Sequence, residues 1–239
     1  MAPENNSFKM GLRDGMPIAL GYLAVSFGFG IIASSAGFLW YEALLVSMLN
    51  LTSAGQLAAV PIIAGGGSLL ELALAQLTIN SRYALMSVSL SQKLSGTVRL
   101  RDRFAIGFAN TDEIFAVAVG KGAPLGRRYM YALAIGPCFG WSAGTLLGAL
   151  AGEVLPGLAV TALSVSLYAM FIAIIVPAVK KSLSLFFACL FAAALSALFT
   201  YLPALSTVSP GFVIVICTVA VSALFALIRP LPDEEEVAG

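Results

Sequence analysis

The chain is 239 residues long, 59% apolar and only 10% charged, contains no histidine, and carries a formal net charge of +1. Soluble domains have about a quarter of their residues charged, so this chain cannot cover a water-facing surface. It reads as an integral membrane protein with room for roughly six to eight spans of ~20 residues. The near-zero charge leaves no electrostatic case for nucleic acid, and Cys138, Cys189 and Cys217 lie in apolar runs without metal-ligand spacing, so buried unpaired thiols and no cofactor are expected.

In chain order the sequence reads as an all-α polytopic membrane protein with very short loops. Residues 1–14 form a polar N-terminus with no cleavable signal, since the first apolar run is too long for a signal-peptide core. Asp14 is the expected N-cap of a helix from Gly15 to about Ala36, with Pro17 in its first turn. A second apolar segment runs from Trp40 to Ala64, but its middle, Asn50-Leu-Thr-Ser-Ala-Gly-Gln56, is polar and flexible. After a Gly65–Gly67 turn, the third segment spans Leu69 to Leu90. In it Gln76, Asn80, Tyr83 and Ser87, spaced 4, 3 and 4, share one helix face, while Thr78, Arg82 and Ser89 line another. Arg82 lies eleven residues before Lys93, a depth of roughly 16 Å at ~1.5 Å per residue, near the middle of a ~30 Å hydrocarbon core. A charge there costs at least ~3 kcal/mol on insertion scales, so it requires a partner or a task. Glu71, in the first turn, favours the helix N-terminus and is assigned no function.

A basic connector, Lys93 to Arg103, leads to a short segment from Phe104 to Gly120 that is apolar at both ends and holds Asn110-Thr-Asp-Glu113 at its centre. The next helix, Tyr129 to Ala151, bears glycine at 136, 140, 144 and 148, with Gly152 following, a bare ridge where another backbone can approach closely. The ridge is longer than a single helix contact needs; together with the family resemblance that the polar motifs carry, it suggests an interface with a small membrane subunit or a second protomer. Three apolar helices follow (Ala159 to Val179, Leu183 to Leu202, Gly211 to Ile228), and the acidic tail at 230–239 is expected to be disordered. The domain reading is thus a cytoplasmic N-terminus (1–14), one transmembrane transporter domain (15–229) and a cytoplasmic tail.

Charge counting bears on topology. If all eight segments span with the N-terminus inside, the Lys93–Arg103 connector falls outside with four positive charges, against the positive-inside tendency. If Trp40–Ala64 and Phe104–Gly120 each enter and leave on one side, six full helices remain and all twelve loop Lys and Arg are cytoplasmic. The two re-entrant candidates are also the two segments with polar, non-periodic centres, and irregular backbone at membrane depth is tolerated where it is buried or lines a wet cavity. Eight ordinary spans with one disobedient loop is the alternative.

The six-helix arrangement brings three polar clusters to one depth: Asn50–Gln56, Asn80–Tyr83 and Asn110–Glu113. Broken helices meeting near the midplane form the substrate and ion sites of many secondary transporters, and their termini suit a zwitterion. Ser53-Ala-Gly-Gln56 in a broken second segment, Asn80-x-Arg82-Tyr83 in the third and Thr111-Asp-Glu113 in the fourth together resemble the AzlC family, over almost the whole chain from Phe8-Lys-x-Gly11 onward. The resemblance implies a bacterial plasma-membrane permease that exports branched-chain amino acids and works with a small hydrophobic AzlD-type subunit. Tyr83 departs from the histidine expected after this arginine in many members, and with no imidazole proton coupling would have to use other groups. The candidate substrate-binding residues are Asn50, Thr52, Ser53, Gly55, Gln56, Asn80, Arg82 and Tyr83. Asp112 and Glu113 are the candidate proton-coupling pair.

Each cluster also has a structural reading. Arg82 is read as pairing with Asp112 or Glu113, or as holding the substrate; the alternative for the carboxylates is that they reach cytoplasmic water from a shallow segment, and for Ser53–Gln56 that they join helices by hydrogen bonds without touching substrate. A channel is the competing function, and an enzyme is not expected, since neither a metal set nor a nucleophile–base pair beyond Asp112–Glu113 is available.

Overall fold

The computed structural model describes residues 7–121, 124–152 and 154–228. Ten helices make up nearly all of it: α1 (Phe8–Ser35), α2 (Trp40–Leu49), α3 (Ser53–Ala64), α4 (Leu69–Lys93), α5 (Leu100–Phe108), α6 (Asp112–Gly120), α7 (Arg127–Gly152), α8 (Gly157–Lys181), α9 (Leu183–Tyr201) and α10 (Pro210–Ile228). Among the described residues the only β-type pairing is a single bridge between Leu94 and Leu125. Among the described residues four helices, α1, α7, α9 and α10, are long and apolar enough to cross a membrane by length and composition. With 25 residues α4 is as long as a span, at ~37 Å, while its polar face lowers its mean hydropathy.

The first helix starts at Phe8 rather than Gly15. Ser7 takes the N-cap, its Oγ accepting the Met10 N–H at 3.2 Å, so residues 8–14 extend the helix instead of preceding it. Asp14, expected as the cap, lies inside α1, where its carboxylate accepts from the Tyr129 hydroxyl (2.9 Å) and pairs with Lys121 (2.9 Å). The acidic tail and Glu153 fall outside the described residues. The thiols are free, but Cys189 is exposed on α9 rather than buried, because among the described residues no helix covers it.

Helices α1 and α7 run parallel and in contact along their whole length. Gly11 and Gly15 of α1 meet α7 at Tyr129 and Leu133; farther along, Ala19, Leu23 and Phe27 meet Gly140, Gly144 and Gly148. A Cβ built on any of these three α7 glycines would lie closer than 3.0 Å to the α1 backbone. The glycine ridge is therefore internal packing. The subunit or protomer interface expected on it is ruled out, because α1 already occupies the groove.

Both polar-centred segments turn back on themselves. The α2–α3 hairpin begins beside the C-terminal end of α1 and returns there: Val60 packs with Ala33 and Ala43, and Ile63 and Ala64 lie with Gly37 and Glu42. From that end α4 runs antiparallel to α1, reaching the N-terminal ends of α1 and α7, where Leu90 and Leu94 pack with Leu125, Tyr129 and Met130. The α5–α6 hairpin begins and ends at this second position. Arg103 bonds Ser91 near its start, and Lys121 reaches Asp14 past its end. The chain thus contains a long helix plus hairpin (α1, α2–α3), followed by a long helix plus hairpin running in the opposite sense (α4, α5–α6). Inverted units of this kind underlie many secondary transporters. The two turning points, 50–52 and 109–111, meet against the middle of α4, and that meeting defines the site.

Candidate functional site

The face of α4 that carries Gln76, Asn80, Tyr83 and Ser87 takes up both hairpin tips. Gln76 Oε1 accepts from Asn50 Nδ2 (2.9 Å) and Asn80 Nδ2 (3.2 Å), and its Nε2 donates to the Gly55 carbonyl (2.8 Å). Thr52 donates to Asn80 Oδ1 at 2.8 Å. Lower on the same face Tyr83 donates to Asp112 (3.4 Å), and Ser87 accepts from Asn110 Nδ2 (3.1 Å). Polar side chains at helical spacing on one element thus clamp two loops whose backbone has left the helical hydrogen-bonding pattern.

Where the tips meet α1, α4 and α7, a cavity of ≈600 Å³ opens. One wall is apolar, from Pro17, Ile18, Val25, Leu51 and the edge of Trp141; the other is polar, from Ser53, Arg82, Tyr83, Thr111, Asp112 and Glu113. Arg82 forms the pair foreseen for it: Nη2 lies 3.0 Å from Asp112 Oδ2 and donates to the Tyr83 hydroxyl, while its guanidinium stacks over the Tyr83 ring at 4.8 Å. The pair is open to the cavity, with side-chain exposures of 53% and 43%, and among the described residues only Nη2 of Arg82 is engaged. The remaining guanidinium donors are free for a ligand in the planar geometry that suits a carboxylate.

Two helix N-termini border this cavity, and they differ. Thr111 caps α6, accepting from the Ile114 N–H, and Asp112 and Glu113 fill its first turn. At α3 the N-cap residue Thr52 makes no cap bond, its hydroxyl being committed to Asn80, so the first-turn N–H groups beside Ser53 and Ala54 carry no side-chain cap. An uncapped N-terminus favours an anion. The site therefore holds charge of both signs: Arg82 and Asp112 in contact with each other, Glu113 beside them in the first turn of α6, and the uncapped N-terminus of α3.

The predicted residues separate into three groups. Ser53, Arg82, Tyr83, Asp112 and Glu113 line the cavity. Asn50, Thr52 and Asn80, with Tyr83 and Thr111, line a second, smaller space of ≈160 Å³ between the tips. Gly55 and Gln56 line neither. Gly55 has no room for a Cβ beside Gln76 and Asn50, and Gln56 is fully buried, donating to Ser47 Oγ (2.9 Å) and the Asn50 carbonyl (2.7 Å). Ser47 in turn bonds Thr145 of α7, so Gln56 ties the first tip to the α7 ridge.

Two residues that sequence reading passed over belong to the site. Tyr22 donates to Thr111 Oγ1 (2.6 Å) and makes a short hydrogen bond to Glu113, joining α1 to the second tip. Trp141 packs edge-on to Tyr22 with centroids 4.9 Å apart, and its buried Nε1 has no acceptor among the described residues. The only sequence signal for either was an amphipathic aromatic in an apolar helix, which is common at any helix contact.

This fold and site define a multi-pass membrane protein with a cavity, lined by charges of both signs, between two broken helices. The sequence profile described as AzlC protein matches residues 17–155, and the chain belongs to that family. The matched part covers most of α1, both hairpins, α4 and α7. It stops short of the whole-chain extent read from the motifs, leaving α8–α10 outside. An uncharacterized membrane protein of Archaeoglobus fulgidus is 34% identical over 72% of this chain and 76% of its own length. The inner membrane protein YgaZ of Escherichia coli K12 is 31% identical over 64% of each chain, and an uncharacterized membrane protein of Helicobacter pylori J99 is 26% identical over 62% of this chain and 67% of its own. No solved structure matches.

Proposed function

We propose that the chain is the large subunit of a secondary transporter that exports branched-chain amino acids. The observation that carries this reading is the polarity of the ≈600 Å³ cavity. Arg82 and the uncapped α3 N-terminus receive the substrate carboxylate, Asp112 and Glu113 receive its ammonium, and Pro17, Ile18, Val25 and Leu51 receive an aliphatic side chain. Family membership and the inverted helix-plus-hairpin units support a transporter over a channel, which usually builds its filter by oligomeric symmetry.

Proton coupling runs through Asp112 or Glu113, the two acidic groups at the cavity. Asp112→Asn or Glu113→Gln abolishes proton-driven accumulation while sparing exchange. A small hydrophobic AzlD-type subunit completes the permease. Its seat is the outer surface, where large apolar side chains such as Leu190 and Phe191 of α9 are exposed, and not the glycine ridge. The membrane is the bacterial inner membrane with both termini cytoplasmic; Lys9, Arg13, Arg99, Arg101 and Lys121 cluster at the end of the bundle where α1 starts, as the positive-inside tendency requires.

The test is a thermal-stability scan of the purified chain against single amino acids, followed by counterflow in proteoliposomes. A ligand of the folded state at about 100 times its Kd stabilises by ~2.7 kcal/mol. Valine, leucine and isoleucine should raise the melting temperature and drive saturable counterflow, whereas lysine and aspartate should do neither. Unitary conductance without counterflow would establish the channel instead.

A further inference from the structure

The ≈160 Å³ space between the hairpin tips lies behind the substrate cavity and differs from it in chemistry. Leu49 and Asn50 at the C-terminal end of α2, and Gly107 and Phe108 at the C-terminal end of α5, line it from two sides. Helix C-termini leave last-turn carbonyls without intrahelical partners, so α2 and α5 offer carbonyl oxygens to this space, which the N-cap residues Thr52 and Thr111 of α3 and α6 also line. No acidic or basic side chain lines it.

A second, independent feature points the same way. Asn110 is 3% exposed and lines this space; its Nδ2 is committed to Ser87, while its Oδ1 has no partner among the described residues. A buried amide oxygen without a donor costs free energy until something positive reaches it. The neighbouring groups also present oxygens. Thr52 spends its hydroxyl proton on Asn80, and Asn50 and Asn80 each commit an N–H to Gln76.

We propose that this space is a binding site for a small alkali cation, Na⁺ in particular. Hard oxygen donors without sulfur or imidazole select an alkali or alkaline-earth ion, and a divalent ion would call for the carboxylates that are absent here. Asn and Thr do not titrate, so a proton has no home among them. The volume admits a dehydrated ion with a water or two, each water needing about 30 Å³. Binding of the ion stands on this geometry alone; its coupling to amino-acid movement rests on the transporter reading.

The experiment is a melting titration of the purified full chain in Na⁺, K⁺, Li⁺ or choline chloride at constant ionic strength without amino acid, with equilibrium binding of radioactive Na⁺ alongside. Na⁺ should raise the melting temperature saturably by several degrees over choline, with one ion bound per chain. Asn110→Leu should weaken the Na⁺ response at least tenfold, and Asn110→Asp should strengthen it. If Asn110→Leu does not fold, the wild-type titration and radioactive binding decide alone. Equal melting in all four salts with no bound Na⁺ overturns the proposal, as does stabilisation that needs an amino acid and ignores Na⁺, since the space would then hold the substrate ammonium. Failure of amino-acid counterflow with intact Na⁺ binding would count against the transporter reading and leave this site standing.

Discussion

Arg82 shows how exposure changes the meaning of a predicted pair. An arginine at mid-membrane paired with a carboxylate suggests a buried ion pair whose loss costs ~3–5 kcal/mol. Here the pair exists, but it faces an open cavity with about half of each side chain exposed. Pairs with that much exposure are worth ~0–1 kcal/mol. Arg82→Ala is therefore expected to melt within about 1 kcal/mol of the parent while its transport half-saturation constant rises at least tenfold. Arg82→Lys keeps the charge but loses the planar fork, and should fall between the two. Collapse of Arg82→Ala in a melting experiment would assign the residue to the fold rather than to the substrate.

At the scale of elements, the α1–α7 contact is the least forgiving. Its glycines let two parallel helices approach backbone to backbone, and the spacing of four from Gly136 to Gly152 keeps them on one face for about four turns. Gly144→Leu would drive a side chain into the α1 backbone at Leu23 and into Ser26, a clash at or above the ~1–3 kcal/mol usual for overpacking. Little folded protein should be recovered in size-exclusion chromatography. Gly136→Ala is the control, because its Cβ would meet only ordinary contacts, the nearest at 3.6 Å, and its melting should match the parent. If Gly144→Leu melted normally and lost only a binding partner, the two helices would not be packed as described. Glu71 belongs to this scale too: 3% exposed, it accepts the Gly211 N–H at 2.8 Å and so joins the N-terminal turns of α4 and α10. Its favourable position at one helix N-terminus was visible in the sequence; its reach to a second, 140 residues away, was not.

For the whole molecule, the returning hairpins predict where each loop lies. Thr97, exposed beside the start of α5, and Gly157, exposed past the end of α7, belong to opposite ends of the bundle. In a cysteine-free background, a cysteine at Gly157 should react with an impermeant thiol reagent in intact cells, and one at Thr97 should react only after permeabilisation. Labelling of both from outside would restore the eight-span arrangement, in which the basic connector is external.

Much of this architecture follows from local chemistry. Composition alone demands a bilayer, polar centres in two apolar segments mark where the helices break, and the 4, 3, 4 spacing on α4 marks the face that receives both breaks. These are properties of single elements, decided by side-chain period and by the cost of unpaired backbone in hydrocarbon. Which element covers a given face is decided by packing between residues far apart in the chain, and there the sequence is silent. The glycine ridge was legible as a close-contact surface, but that α1 fills it depends on Gly11, Gly15 and Ala19 arriving in matching register. Asp14 had the chemistry of a cap, yet Ser7 starts the helix earlier and leaves Asp14 to hold Tyr129 and Lys121. Ser53 and Gln56 looked alike as polar residues of one motif. Only the tertiary structure leaves Ser53 at the cavity and buries Gln56 against Ser47, because Ser53 stands at the very start of α3 beside the opening, whereas Gln56 lies one turn farther in, where its amide reaches back to α2.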